Sequence, residues 1–430
     1  MPTTKLKGLL AAGLGALSLG MASGTYAQPV ELKIGYNNHP IQEASIAMMD
    51  KWAKANGVNL VKIPMSYAVF MEKVTTSLTS RGDGFDIIWH NDDWGQLWKN
   101  YLEPTDDVAG MDTADKSPLS PFLNDQKKLT VIPMVHTLNA LFYRKDLISE
   151  NEVPKTWNDL VTISQRLQKE GKVKWGFVGG MAMNFTWHSL WWTMWGNQCD
   201  VFLPIYERDS KVLAEKGWTP ALDQPCTLEY MNFWWDALND NKISPKAMTS
   251  YTRDDAQAIF MAGDAAFTVN DTNLYGLFND PNRSRIVGKI GMAAMPYGPR
   301  RTSPITHNEI WGWAIPVGVP ENRKAAAKAM LGAMMQDVDG QVKMWNDTAG
   351  PPPNTKVWKV LEAKDPLFAQ LKTSIFDNVG PHHAAYYMPQ WPAVHKAYSD
   401  VAIRALTGPR DAISGVLKTG MESVHKAATD

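Results

Sequence analysis

The sequence predicts an α/β fold built as two or more domains. Runs with strand period alternate with stretches of helical period from about residue 30 onward, the pattern of parallel sheets flanked by helices. About 400 residues follow a short N-terminal leader, enough for more than one hydrophobic core. No short internal repeat or low-complexity tract interrupts them, which sets aside solenoids and propellers.

The leader, residues 1–27, has the order of a secretory signal peptide. Lys5 and Lys7 precede the apolar run Leu9–Leu19, and small residues follow, ending Thr25-Tyr26-Ala27. Cleavage is expected between Ala27 and Gln28. No cysteine at the junction points to a lipid anchor, and no twin-arginine pair precedes the run. Removing Lys5 and Lys7 from a chain of net charge −1 leaves about −3, so no basic excess calls for nucleic acid.

The elements follow in order. Val30, Leu32, Ile34 and Tyr36 alternate with Glu31, Lys33 and Gly35, a strand that ends in Asn37-Asn38-His39-Pro40. A helix is expected over Gln42–Ala55 and stops at Asn56-Gly57. Strands are expected over Val58–Ile63 and Phe85–Trp89, with a helix over Phe70–Leu78 between them. Trp157–Lys169 reads as an amphipathic helix with Thr156 as N-cap and Asp159 at its third position. Further helices are expected over Thr227–Leu238, Asp254–Met261, Ala325–Met335 and Asp411–Ala427.

The chain contains two cysteines, Cys199 and Cys226. In an exported protein an even pair reads as a disulfide, for which this loop length gives roughly 3 kcal/mol of stabilisation. Tryptophan is the compositional outlier: the 18 present are about three times ordinary usage. Several stand beside Asn, Asp and His. Such pairing suits a carbohydrate cleft, where the ring stacks on the C–H face of a sugar and polar groups take its hydroxyls.

In open α/β sheets, ligands sit beyond the carboxyl ends of strands. That rule selects Asn37, Asn38 and His39 after the first strand, and His90, Asn91, Asp92 and Trp94 after the third. Of the paired acids, Asp92 is preferred as the acceptor of ligand hydroxyls and Asp93 as the helix cap. Asn270 and Asp271 follow the strand-like Phe267-Thr268-Val269. Trp311 and Trp313 share one face of a strand, so one of them is expected at the cleft edge. Four histidines, His39, His90, His136 and His188, fall near these loops, but no HxxH or HExxH spacing supports a metal site. No cofactor is expected. The selected loops contain no Arg or Lys, which argues against an anionic ligand.

Four segments resemble the extracellular solute-binding family 1, the maltose-binding-protein-like periplasmic components of ABC sugar importers. They are Phe85-Asp86-Ile87-Ile88-Trp89 with Leu102-Glu103-Pro104; Ile132-Pro133-Met134 with Tyr143-Arg144-Lys145-Asp146-Leu147 and Pro154-Lys155-Thr156-Trp157; Ile259–Phe267, containing Gly263-Asp264-Ala265-Ala266; and Trp311-Gly312-Trp313-Ala314-Ile315-Pro316. The resemblance spans roughly residues 30 to 405. It implies a type II-like two-lobe periplasmic binding fold with a multi-strand hinge. The N-lobe would comprise 28–135 plus 295–335, and the C-lobe 136–294 plus 336–430, with the ligand in the cleft between them. It also implies a monomer that delivers its ligand to the permease subunits of an ABC importer. His136 or Thr137 would stand at a polar contact on the crossover, Trp187 near aromatic contacts, and Tyr387 and Trp391 in an aromatic platform. The expected ligand is a small neutral sugar or glycoside. Polyols and polyamines are the alternatives on the same fold. An exported glycoside hydrolase is the alternative of another class, although no carboxylate pair stands out for it.

Overall fold

The computed structural model describes residues 30–430 except 184, 208, 307 and 381–387. The leader and Tyr387 therefore lie outside the described residues. Eight strands form one mixed sheet: β1 (Glu31–Asn37), β2 (Asn59–Met65), β3 (Ile87–Asn91), β4 (Ile132–Arg144), β5 (Trp175–Phe177), β6 (Ala265–Asp271), β7 (Ile290–Ala293) and β8 (Asn308–Ala314). The strand order is β2-β1-β3-β8-β4-β6-β5, with β7 pairing to β4.

The expected parallel units are present. β1 lies parallel to both β2 and β3, and β5 lies parallel to β6. Helices Pro40–Ala55 and Tyr67–Thr79 connect the first three strands. The antiparallel pairings all involve β4 or β8. β4 is 13 residues long and buried throughout. Its first half pairs with β8 and its second half with β6 and β7. Gly312 allows the close approach of β8, since a Cβ there would fall 2.5 Å from the Ile132 carbonyl oxygen.

Three apolar cores flank the sheet. One gathers Leu32 through Val135 with Ile310 through Met344. The others lie on the far side of β4, one around Trp157, Trp192, Trp234 and Tyr398, and one around Phe142, Phe278 and Phe368. Much of the tryptophan surplus is spent here: Trp98, Trp192, Trp234, Trp313 and Trp345 are fully buried.

Local chemistry sets the element ends. Helix Trp157–Lys169 begins with a reciprocal capping box, in which Asp159 N–H donates to Thr156 Oγ1 at 3.2 Å and Thr156 N–H to Asp159 Oδ2 at 2.9 Å. Trp157, Leu160, Ser164 and Leu167 make its buried face. Helix Pro40–Ala55 ends at Asn56, and Gly57 follows at φ +66°. Cys199 and Cys226 are joined in a disulfide with Cα atoms 5.6 Å apart. It ties the segment after helix Trp187–Trp195 to the first turn of helix Pro225–Asn239.

Candidate functional site

The carboxyl ends of β1 and β3 meet the start of β8 over one pocket, behind which β6 ends at Asp271, the partner of Arg253. Asn37, Asn91, Asp93 and Glu309 bring polar groups to it, with Arg253 opposite; Tyr67, Trp89, Trp187 and Trp311 wall it. The enclosed space is about 10 Å³, the room one water needs. An adjoining cavity of about 240 Å³ shares Tyr67 and Asp93 and continues past Trp94, Phe185 and Trp391.

Strand phase explains which side chains arrive. Successive residues of a strand point to opposite faces. Trp89, Asn91 and, one turn on, Asp93 share the pocket side of β3, as Glu309 and Trp311 do on β8. Arg253 is the first residue of helix Arg253–Met261, fixed there by the Thr252–Asp255 capping box. It lies across the pocket from β8, and its Nη1 is 3.6 Å from Asp271 Oδ2.

Several contacts hold this polar set. Asn139 Nδ2 donates to Asp271 Oδ1 at 2.6 Å, across a β4–β6 register pair. Trp311 Nε1 donates to Glu309 Oε2 at 3.3 Å. Trp391 Nε1 donates to Asp93 Oδ1 at 3.0 Å. That last bond joins the core containing Trp94 to the one containing Trp391.

Burial dominates the electrostatics. It pushes Asp93 and Asp271 up to about 7, with the charge of Glu309 as the next cause in each. Burial likewise raises Glu309 to about 7, opposed by the bond from Trp311 and the charge of Arg253. Asp92 is raised well above the carboxylate range by burial, then by Glu309 and Asp93. Burial lowers His90 and His188 to about 3 and holds His39 well below the imidazole range. The set therefore offers carboxyl oxygens as acceptors, amide and guanidinium N–H groups as donors, and aromatic faces for C–H surfaces.

The sequence-selected residues divide accordingly. Trp187 and Trp311 line the pocket, and Trp94 and Trp391 line the adjoining cavity. Asp271 is held to Arg253, while Asn270 Oδ1 accepts from the N–H of Asp271 at 3.1 Å. The structure does not bring the others to the pocket wall. Asn38 is exposed and its N–H bonds Met65, because Asn37 takes the inward position. His39 caps helix Pro40–Ala55, with Nδ1 accepting from Ile41 N–H at 3.4 Å, and stands edge-on to Trp311. His90 lies on the opposite face of β3, between Trp98 and Phe122. Asp92 turns the same way, and its Oδ2 accepts from Ile310 N–H at 3.3 Å. Of the two acids, Asp93 is the one at the pocket wall. His136 faces away as well, against Trp358 and 4.0 Å from Asp115. Thr137 is buried on β4 opposite Glu309. The four histidines thus occupy separate environments, and among the described residues no group of three or more His, Cys, Asp or Glu could hold a metal ion.

Tyr67, Trp89, Arg253 and Glu309 escaped the sequence reading, and Arg253 corrects the expectation of a cleft without cations. Two signals were available. An Arg in a helix's first turn opposes the helix dipole and so asks for another purpose. Glu309 heads the otherwise apolar run Ile310-Trp311-Gly312-Trp313-Ala314, where a buried acid is costly.

Comparison with known proteins bears on the fold and the family. A probable ABC transporter-binding protein of Deinococcus radiodurans is 25% identical over 382 residues, covering 86% of this chain and 87% of that protein. The maltose-bound MalE3 of T. maritima matches with a TM-score of 0.78 at 21% identity, over 92% of this chain and 98% of that one. A solute-binding protein from Agrobacterium radiobacter K84 in complex with ribitol matches at 0.76 and 19%, over 92% and 98%. These likenesses show the fold, that of the two-lobe periplasmic binding proteins. Among the described residues, no helix is long and apolar enough to cross a membrane. Residues 47–370 match the bacterial extracellular solute-binding protein model, and the chain belongs to that family of ABC-transporter binding proteins.

Proposed function

We propose that this protein is exported to the periplasm, captures a small neutral solute rich in hydroxyls, and hands it to an ABC permease by closing its lobes. The ligand class is a monosaccharide or polyol. One observation carries the reading: Asp93, Glu309, Asn37 and Asn91 converge with Arg253 between the rings of Tyr67, Trp89, Trp187 and Trp311. Paired donors and acceptors between aromatic faces suit adjacent hydroxyls on a C–H framework. A solute larger than a water would need the adjoining cavity of about 240 Å³, which shares Tyr67 and Asp93 with this pocket. The structural neighbours bound to maltose and ribitol support a sugar or polyol as the wider class, maltose being a disaccharide.

In this reading residues 28–135 and 295–335 form the N-lobe and the remainder the C-lobe, with β4 and β8 in the hinge. The apolar cores support a division of this kind only in outline, since Met295 packs in the core around Trp192 and Met344 in the core around Leu32. The protein acts as a monomer, and its role is transport rather than catalysis. Mature protein recovered from the periplasm should begin at or near Gln28; an uncleaved cytoplasmic product would remove the basis for transport.

A second reading has one observation in its favour. Carboxyl groups outnumber the guanidinium at the pocket, as a polyamine site would require. A thermal-shift screen separates the two, because a ligand that binds only the folded state raises Tm. Sugars or polyols are expected to raise it. A shift with putrescine or spermidine and none with any sugar or polyol sinks the neutral-solute assignment.

A further inference from the structure

Arg144 and Arg253 are almost equally buried, with side chains 10% and 12% exposed, yet their guanidinium groups are partnered differently. Arg144 donates from Nε and Nη2 to Asp146 at 2.7 and 2.6 Å, and from Nη1 to the Gly263 carbonyl at 3.3 Å. Arg253 has no such set. Its nearest carboxylates among the described residues are Asp271, with Oδ2 3.6 Å from Nη1, and the exposed Asp254, with Oδ1 4.0 Å from Nε. Both lie beyond hydrogen-bond length. Its Nε is buried and meets no acceptor among the described residues. A buried N–H group left unmet in a native structure marks a place for a partner. Arg253 lines the pocket, so an oxygen of the solute is the partner at hand.

A short chain of residues behind Arg253 sets its aim. Asp271 ends β6 and is fully buried. Its Oδ1 accepts from Asn139 Nδ2 at 2.6 Å. Asn139 is its register partner on β4, so the strand ladder fixes both backbones and puts the two side chains on one face of the sheet. With Oδ1 tied to Asn139, the carboxyl plane is fixed and Oδ2 is held toward Arg253. Oδ2 accepts no hydrogen bond of its own among the described residues. Neither Asn139 nor Asp271 belongs to the pocket wall, and Arg253 is the wall residue that they meet.

We propose that Asn139 and Asp271 are positioning residues for solute recognition: Asn139 pins the Asp271 carboxyl, and that carboxyl faces Nη1 of Arg253 so that the edge formed by Nε and Nη2 is presented to adjacent oxygens of the solute. The proposal rests on the neutral-solute reading above. A guanidinium is planar with its donors in a fixed fork, so its orientation decides whether it makes two bonds to a ligand or one. The Nε–Nη2 edge is the one by which Arg144 grips Asp146 and Arg300 grips Glu229. In Arg253, Nη1 is the atom facing Asp271, which leaves that edge over. Hydrogen bonds behind a recognition group keep it near its productive geometry. An unsupported arginine has many rotamers and gives up that freedom on binding.

Binding calorimetry on the full mature chain tests the arrangement, with ribitol, D-mannitol and maltose as probes. Asn139→Ala and Asp271→Asn should each lower affinity about tenfold for whichever probe the native protein binds. The deciding measurement is the double change. In an Arg253→Met background, Asn139→Ala should alter affinity by less than about twofold, because the group it positions is gone. Asp271→Asn takes its place in the cycle should Asn139→Ala fail to fold. Equal losses in the two backgrounds overturn the proposal while leaving the neutral-solute reading intact, since a purely structural role would act with or without the guanidinium. If none of the three probes binds the native protein, the neutral-solute reading has failed instead. In that case, or where Arg253→Met leaves affinity too weak to measure, nitrogen NMR relaxation of the Arg253 Nε–H group decides the positioning on the unliganded chain, its signal assigned by its loss in Arg253→Met. An Nε–H ordered in the native protein and mobile in Asn139→Ala supports it. An Nε–H equally ordered without Asn139, or already mobile in the native protein, overturns it.

Discussion

Replacing Arg253 with Met keeps the length of the side chain and removes the one guanidinium facing Asp271. At the 3.6 Å separation of Nη1 and Oδ2, Coulomb's law with an effective dielectric of 20 gives about 4.6 kcal/mol for two full charges. That figure is a ceiling, because Asp271 can escape it by taking a proton. Its carboxyl already titrates near 7 with Arg253 in place. Without the guanidinium it titrates higher, so near neutrality the variant simply carries a protonated Asp271. The electrostatic part of the loss at pH 7 is then RT ln 2, about 0.4 kcal/mol.

The cost grows with alkalinity. An acid whose folded-state pKa is raised stabilises the fold at low pH, and that stability is lost as pH rises through the folded-state value. In the native protein the loss from Asp271 ends near pH 7; in the variant it continues upward at about 1.4 kcal/mol per pH unit. The difference between the two proteins should therefore widen by about 2.3 kcal/mol from pH 7 to pH 9. Glu309, also lowered by Arg253, adds to this widening. Packing lost with the guanidinium is independent of pH and cancels in the comparison. Urea unfolding of both proteins at pH 6, 7, 8 and 9 measures the quantity directly. A stability difference that stays constant, or that narrows above pH 7, refutes the account of a guanidinium holding buried carboxylates ionised.

Three other changes have expected outcomes. Trp391→Phe removes the indole bond to Asp93, whose carboxyl burial pushes up to about 7; an ordinary hydrogen bond contributes about 0.5–1.5 kcal/mol, so calorimetry should show solute affinity down by about two- to tenfold. Unchanged affinity would mean that the bond does not contribute to solute binding. The double change Cys199→Ser with Cys226→Ser should cost roughly 3 kcal/mol, read as a lower urea midpoint. Gly312→Ala places a Cβ 2.5 Å from the Ile132 carbonyl, and overpacking of that kind should destabilise by about 1–3 kcal/mol, visible as a lower Tm.

Much of the scaffold was legible because local chemistry dictates it. Thr156 and Asp159 mark the start of a helix through groups only three residues apart, and the capping box forms where the pattern put it. Asn56-Gly57 ends a helix for reasons carried by those two residues. The tryptophan count was a weaker guide, since a large ring fills a core as readily as it faces a sugar. The antiparallel partnership of β4 with β8 joins residues such as Ile132 and Trp313, a separation over which no periodicity in the sequence reports.

The site was half legible, and strand phase explains the division. The carboxyl end of β3 reaches the pocket, yet His90 and Asp92 fall on one face and Trp89, Asn91 and Asp93 on the other. A shift of one residue exchanges the two sets. Preferring Asp92 treated the pair as a choice between cap and ligand, when the deciding fact was which face of β3 looks toward Arg253. Arg253 itself comes from a helix start far along the chain, and only the folded path sets it opposite Asp93 and Glu309. The same path buries these carboxyl groups near one another. None of the four carboxyl groups is unusual in its own segment, and each acquires its elevated affinity for protons from water exclusion and from neighbours on other strands. A site of this kind therefore shows in the sequence as ordinary loop polarity, and its electrostatics arise only when the chain folds.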